Sequence, residues 1–107
     1  MTLILGGYDK GLDYADLIKV ITNKKNVKNI ILIGDLAQRF GKMFTGVKYK
    51  GNIVDMGKKS MTKIVNKALS LTPTSGVVLL SPAAASFDMF HDYKERGKKF
   101  KEAVANL

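Results

Sequence analysis

The sequence predicts an α/β fold: a Rossmann-like three-layer sandwich in which a mostly parallel sheet carries helices on both faces. Four short apolar runs alternate with stretches whose apolar residues recur at helical spacing, the pattern of a parallel sheet joined by right-handed crossovers. Leu3-Ile4-Leu5 and Val77-Val78-Leu79-Leu80 are apolar at every position, which suits strands covered on both faces. Each run ends in small residues, Gly6-Gly7 after the first and Ser81-Pro82-Ala83-Ala84-Ala85 after the last.

Taken in order, Thr2–Leu5 reads as the first strand, ended by Gly6-Gly7. A helical stretch runs from Leu12 to Ile21, with Leu17, Ile18 and Ile21 on one face and Asp13 as its cap. Asn29–Ile33 is a β-branched second strand closed by Gly34. Leu36, Ala37, Phe40, Met43 and Phe44 form one apolar helix stripe. Asn52–Met56 is a weaker strand, preceded by an irregular stretch from Gly46 to Gly51. Met61, Ile64, Val65, Ala68 and Leu69 give the cleanest helical stripe. Thr72-Pro73-Thr74-Ser75-Gly76 is a loop by composition, and Gly76–Leu80 is the last strand. Phe90, Tyr93, Gly97, Phe100, Val104 and Leu107 then step down a terminal helix, where Gly97 would allow close packing. The whole chain, residues 1–107, is expected to be one domain.

Composition narrows the function. With no cysteine, the chain has no disulfide framework and no thiolate nucleophile or metal ligand. The single histidine, His91, has no elbow-serine motif to make a Ser-His-Asp arrangement with and no second ligand for a metal site, so it reads as an exposed helix residue. Asp88 and Asp92, one helical turn apart, suit a helix start. Met43, Met56, Met61 and Met89 read as core filler. Gly6-Gly7 breaks the first apolar run before it could serve as a signal peptide, and no run approaches membrane-spanning length. The formal net charge is +9, from 18 Lys and Arg against 9 Asp and Glu. The lysines are dispersed and unaccompanied by an aromatic RNA-binding pattern, so they read as a solubilising coat on outer helix faces, not a nucleic-acid surface. No nucleic-acid or membrane partner is expected, and no heptad suggests more than a monomer.

The last strand supplies the sharpest chemical expectation. Pro82 stops it, three alanines make an elbow without bulk, and Ser86 stands where an N-cap belongs. A helix opened there would aim unpaired N–H groups and a positive dipole end at an anion. In open parallel sheets ligands gather at the carboxyl ends of strands, and Gly6–Gly11 and Ser81–Ser86 both stand there. Neither glycine segment is a nucleotide loop. Tyr8 occupies the position where a dinucleotide fingerprint needs glycine, and Gly57-Lys58-Lys59-Ser60 lacks the order of a phosphate loop.

Val78-Leu79-Leu80-Ser81-Pro82-Ala83-Ala84-Ala85-Ser86-Phe87-Asp88-Met89-Phe90, followed by Tyr93-Lys94-Glu95-Arg96-Gly97, resembles the C-terminal domain of the bacterial Mur ligases. Leu3-Ile4-Leu5-Gly6-Gly7-Tyr8-Asp9-Lys10-Gly11 is similar to that family's glycine-rich loop after the first strand, and the likeness runs over the whole chain. The wording is most like the members that add D-glutamate to UDP-N-acetylmuramoyl-L-alanine. Sister Mur ligases and folylpolyglutamate synthetase share the fold and are the near alternative, and a free-standing nucleotide- or anion-binding domain without chemistry is the alternative of another class.

The resemblance implies a fragment of a cytoplasmic, ATP-dependent amino-acid ligase of peptidoglycan precursor synthesis, inactive by itself. Met1 directly before the first strand fits an expressed piece of a longer enzyme. ATP and Mg would be bound mainly by a central domain, and the UDP-linked substrate by an N-terminal one, both absent from this sequence. By the same resemblance Ser86 gives its hydroxyl to the D-glutamate carboxylate, and Phe87 and Tyr93 frame that pocket. Tyr93 stands where the family's pattern has phenylalanine. Lys10 faces a phosphate or carboxylate, and Asp9 a nucleotide or metal-bound water. Arg39 falls where the family offers a cation to the acyl phosphate and glutamate, its plainer alternative being a solvated helix arginine.

Overall fold

The computed structural model of the chain describes residues 1–7, 11, 13–73, 76–80 and 93–105. Among them eight elements alternate: β1 (Thr2–Gly6), α1 (Ala15–Thr22), β2 (Asn29–Ile33), α2 (Leu36–Gly46), β3 (Asn52–Gly57), α3 (Met61–Leu71), β4 (Val78–Leu80) and α4 (Tyr93–Ala105). The strands form one sheet in the order β3-β2-β1-β4, and every neighbouring pair is parallel. Ile4 lies opposite Ile31 on one side and Leu80 on the other.

Side chains of a strand alternate between faces, so an apolar parallel sheet needs cover on both. Leu3, Leu5, Ile30 and Leu32 pack with Ile18 and Ile21 of α1 and with Leu36, Phe40 and Phe44 of α2. Ile4, Ile31 and Ile33 pack on the opposite face with Met61, Ile64, Val65 and Ala68 of α3 and Ala103 of α4. The three-layer α/β sandwich expected from the sequence is therefore the fold, with all its described strands parallel.

Several local expectations change. β4 is short and lies at the edge of the sheet formed by the described residues: Val78 and Leu80 are half-buried against the α3–α4 cluster, whereas Leu79 is 45% exposed. It is not covered on both faces, because α1 and α2 pack with β1 and β2 and no described residue of their cluster reaches β4. Leu69 and Val104 are exposed, and Ala103 and Arg96 are buried on α4. A Cβ added at Gly97 would meet nothing, so that glycine is not a close-packing site. Leu12, the expected start of the first helix, lies outside the described residues, as do Phe90 and Leu107 of the expected terminal stripe, and α1 begins at Ala15. Asp13 closes the turn before it by accepting a hydrogen bond from Ala15 N at 2.9 Å. The irregular stretch resolves into the end of α2 and a turn at Lys48, whose φ of 59° lets Tyr49 N donate back to Phe44 O at 3.1 Å.

A buried polar network fastens the amino ends of the strands. Asn29 Nδ2 donates to Thr2 Oγ1 at 3.3 Å and to Leu71 O at 3.1 Å, while Asn29 Oδ1 accepts from Asn52 Nδ2 at 3.0 Å. The Thr2 and Thr72 hydroxyls lie 2.5 Å apart. One asparagine thus ties β1, β2, β3 and the end of α3. Asn29→Ala strands several of these groups, and since a buried unsatisfied partner costs about 1–3 kcal/mol, a urea unfolding curve should show a loss of at least that size.

Tyr49 closes the same end by donating its hydroxyl to Val27 O at 2.8 Å. Burial disfavours its phenolate and raises its pKa above the ordinary 10.0. The unfolded chain therefore releases this proton first, so Tyr49's contribution is intact below that value and is lost as pH climbs through the raised pKa. Stability measured from pH 9 to about 12 should fall less steeply in Tyr49→Phe than in the parent.

Candidate functional site

The helix that follows β1 packs on one face of the sheet, and α3, which delivers the chain to β4, packs on the other. Strand order reverses between these two neighbours, and at such a point parallel sheets take ligands outside the carboxyl ends of the strands. The segments that follow β1 and β4 in sequence are the two singled out by their small residues.

The carboxyl end of β1 is shaped by glycine. Gly6 has φ of 137°, and a Cβ there would overlap the Ile33 carbonyl oxygen. The missing side chain lets the backbone pass close enough for Gly7 N to donate to Ile33 O at 3.1 Å. Leu36 N in turn donates to Gly7 O at 3.0 Å, and Gly34 N to Gly57 O at 2.8 Å, so the ends of β1, β2 and β3 are stitched together. At the same edge Lys58 Nζ meets Asp35 Oδ1 at 2.9 Å. That pair is open to solvent and contributes at most about 1 kcal/mol.

Arg39 lies in the second half of the first turns of α2, half-buried, with its guanidinium carbon 5.1 Å from the centroid of the Tyr14 ring. The ring is buried at the start of α1 and meets Phe40 edge-on with centroids 5.1 Å apart. Arg39 is thus partly exposed and stacked on a ring. A cation over an aromatic face gains about 0.5–1 kcal/mol where exposed and more when desolvated. Sequence reasoning missed Tyr14. Its signal was an aromatic residue at the start of the helical stripe; Tyr14, not the expected Asp13, holds the N-cap position of α1, and no side chain caps that helix. The Tyr14 hydroxyl is buried without a hydrogen-bond partner.

Of the other expected site residues, Asp9, Lys10, Ser86 and Phe87 lie outside the described residues, and Tyr93 is the first residue of α4. His91, Asp88 and Asp92 also lie outside them. The described residues contain no group of three histidines, cysteines or carboxylates that could hold a metal ion. Ser60, in the segment that only partly resembles a phosphate loop, accepts a hydrogen bond from Lys63 N at 3.3 Å and so caps α3. No described helix is long and apolar enough to cross a membrane.

No family model matches the chain. Among curated proteins it is 44% identical, over its full length, to the UDP-N-acetylmuramoylalanine–D-glutamate ligase of Caldanaerobacter subterraneus subsp. tengcongensis, covering 23% of that protein. It is 45% identical over 97% of its length to the ligase of the same name from Christiangramia forsetii, covering 22% of it. The ligase of that name from Geobacter metallireducens is 41% identical over the full chain, which covers 22% of it. The likeness to Mur ligases is shown over the whole chain. The chain spans between a fifth and a quarter of the length of these relatives.

Tyr14→Phe keeps the ring under Arg39 and removes a buried hydroxyl without a partner. Its stability should equal the parent's or exceed it by up to about 1 kcal/mol. Tyr14→Leu loses both ring contacts and should be less stable than Tyr14→Phe by about 1–2 kcal/mol. Urea unfolding of the two variants checks both expectations.

Proposed function

We propose that this chain is the C-terminal, amino-acid-binding domain of an ATP-dependent ligase that joins D-glutamate to UDP-N-acetylmuramoyl-L-alanine. The observation that carries the reading is the match to D-glutamate ligases along essentially the whole chain at 40–45% identity. A parallel sheet whose order reverses between β1 and β4 supports it, because both sequence motifs follow those strands.

The reaction that goes with this reading begins with phosphoryl transfer from ATP to the alanine carboxylate. The D-glutamate amine then attacks the acyl phosphate, and the tetrahedral adduct expels inorganic phosphate. Positioning and charge neutralisation supply most of the catalysis in such a step. Ser86 would hold the glutamate carboxylate by its hydroxyl, and Phe87 and Tyr93 would frame the pocket. Lys10 and Arg39 would offset negative charge, and Asp9 would face the nucleotide. The central domain would bring ATP and Mg, with this domain closing over them as a cytoplasmic monomeric enzyme's lid. The chain alone would not ligate.

A two-dimensional NMR titration with D-glutamate, with L-glutamate and ATP as controls, tests the reading. Shifts at Ser86, Phe87 and Lys10 with D- but not L-glutamate are expected, and Ser86→Ala should abolish them. Equal responses to both glutamates, or shifts confined to positions remote from β1 and β4, would overturn amino-acid recognition by this domain.

A further inference from the structure

The amino edge of the sheet, opposite the candidate site, holds a groove of about 610 Å³ lined by Lys24, Lys25 and Lys28 from the α1–β2 turn and by Lys48 and Lys50 from the α2–β3 turn. No carboxylate lines it. Each of these lysines is exposed, and none of their ammonium groups forms an ion pair or side-chain hydrogen bond. The sequence reading placed the lysines on outer helix faces, but these five stand together in turns.

Charge is partitioned along the strands. Asp13 and Asp16 lie at the start of α1, Asp35 precedes α2, and Asp55 is near the end of β3, all toward the carboxyl edge. Residues 17–34, 36–54 and 56–87 contain no carboxylate, so all three connections that enter β2, β3 and β4 lack one. Helix dipoles favour a cation after each helix and account for Lys24 and Lys48 singly. They do not require five cations around one concavity.

We propose that this groove binds the phosphate groups of an anionic ligand. Its volume falls in the range of small-molecule sites, about 300–1,000 Å³. Its cations are all lysines, compact charges suited to phosphate oxygens, whereas planar carboxylates favour the forked arginine. Neither arginine of the chain lines it. The Tyr49 hydroxyl is tied to Val27 O and its ring packs on Phe44 with centroids 5.5 Å apart, which fixes this wall of the groove. The specificity is for phosphate charge, whether free or on a lipid headgroup.

The test is a 15N NMR titration of this chain with inorganic triphosphate at low salt, beside co-sedimentation with phosphatidylglycerol vesicles. Saturable shifts confined to residues 22–28 and 47–51 are expected. Lys24→Gln with Lys48→Gln should weaken the affinity by about tenfold or more, since contacts to charged groups are the strong ones. The control pair Lys63→Gln with Lys67→Gln on α3 removes equal charge and should leave it within about twofold. Vesicle binding lost in the first pair and kept in the second, without triphosphate shifts, would identify a lipid phosphate as the source. Shifts spread evenly over the lysines, equal weakening by both pairs, or no response in either arm would overturn the proposal.

Discussion

β1 sits between β2 and β4 with apolar side chains on both faces, and the rest of the molecule follows from covering it. Ile4 is fully buried, Leu5 nearly so, and neither can be satisfied by a single layer of helices. Two crossovers on one face and the next on the other meet the requirement while keeping one hand of connection. That arrangement makes β1 and β4 neighbours, with α1 packed on one face of the sheet and α4 on the other. The point where strand order reverses is a consequence of covering the core.

Gly6 shows how tightly the carboxyl edge is drawn. Its backbone conformation and the closeness of the Ile33 carbonyl exclude any side chain. The carboxyl ends of three strands share hydrogen bonds within a few residues. A rigid rim of this kind gives the residues after β1 a fixed starting point, which substrate positioning needs. Tyr14 does the same for Arg39 from the helical side, by setting a buried ring under its guanidinium. The positive end of α2 lies at this edge as well.

The two edges of the sheet differ in chemistry. Asp13, Asp16, Asp35 and Asp55 stand where helices begin and strands end, and the turns entering β2 and β3 carry lysines and no carboxylate. The amino edge is also where Asn29, Thr2, Asn52 and Thr72 lock strands together without charge. Neutral hydrogen bonds inside and cations outside allow that edge to present an anion surface without burying an unpaired charge.

Periodicity and strand composition by themselves determined the α/β class, the order of elements and most of the buried set, because a parallel strand must be apolar throughout and a surface helix apolar on one stripe. Leu3-Ile4-Leu5 and Met61-Ile64-Val65-Ala68 were legible for that reason. Motif wording pointed to the candidate site, but Asp9, Lys10, Ser86 and Phe87 lie outside the described residues, so of the expected side chains only the setting of Arg39 is described. Only the tertiary structure decided that β4 is an edge strand among the described residues, with Leu79 exposed, because nothing in four apolar residues tells how far the helical layer extends. It alone seated Arg39 on Tyr14, a contact across two helices, and gathered Lys24 and Lys48 at one groove. Local pattern reports which residues avoid water, whereas the meeting of distant turns depends on the order in which strands pair.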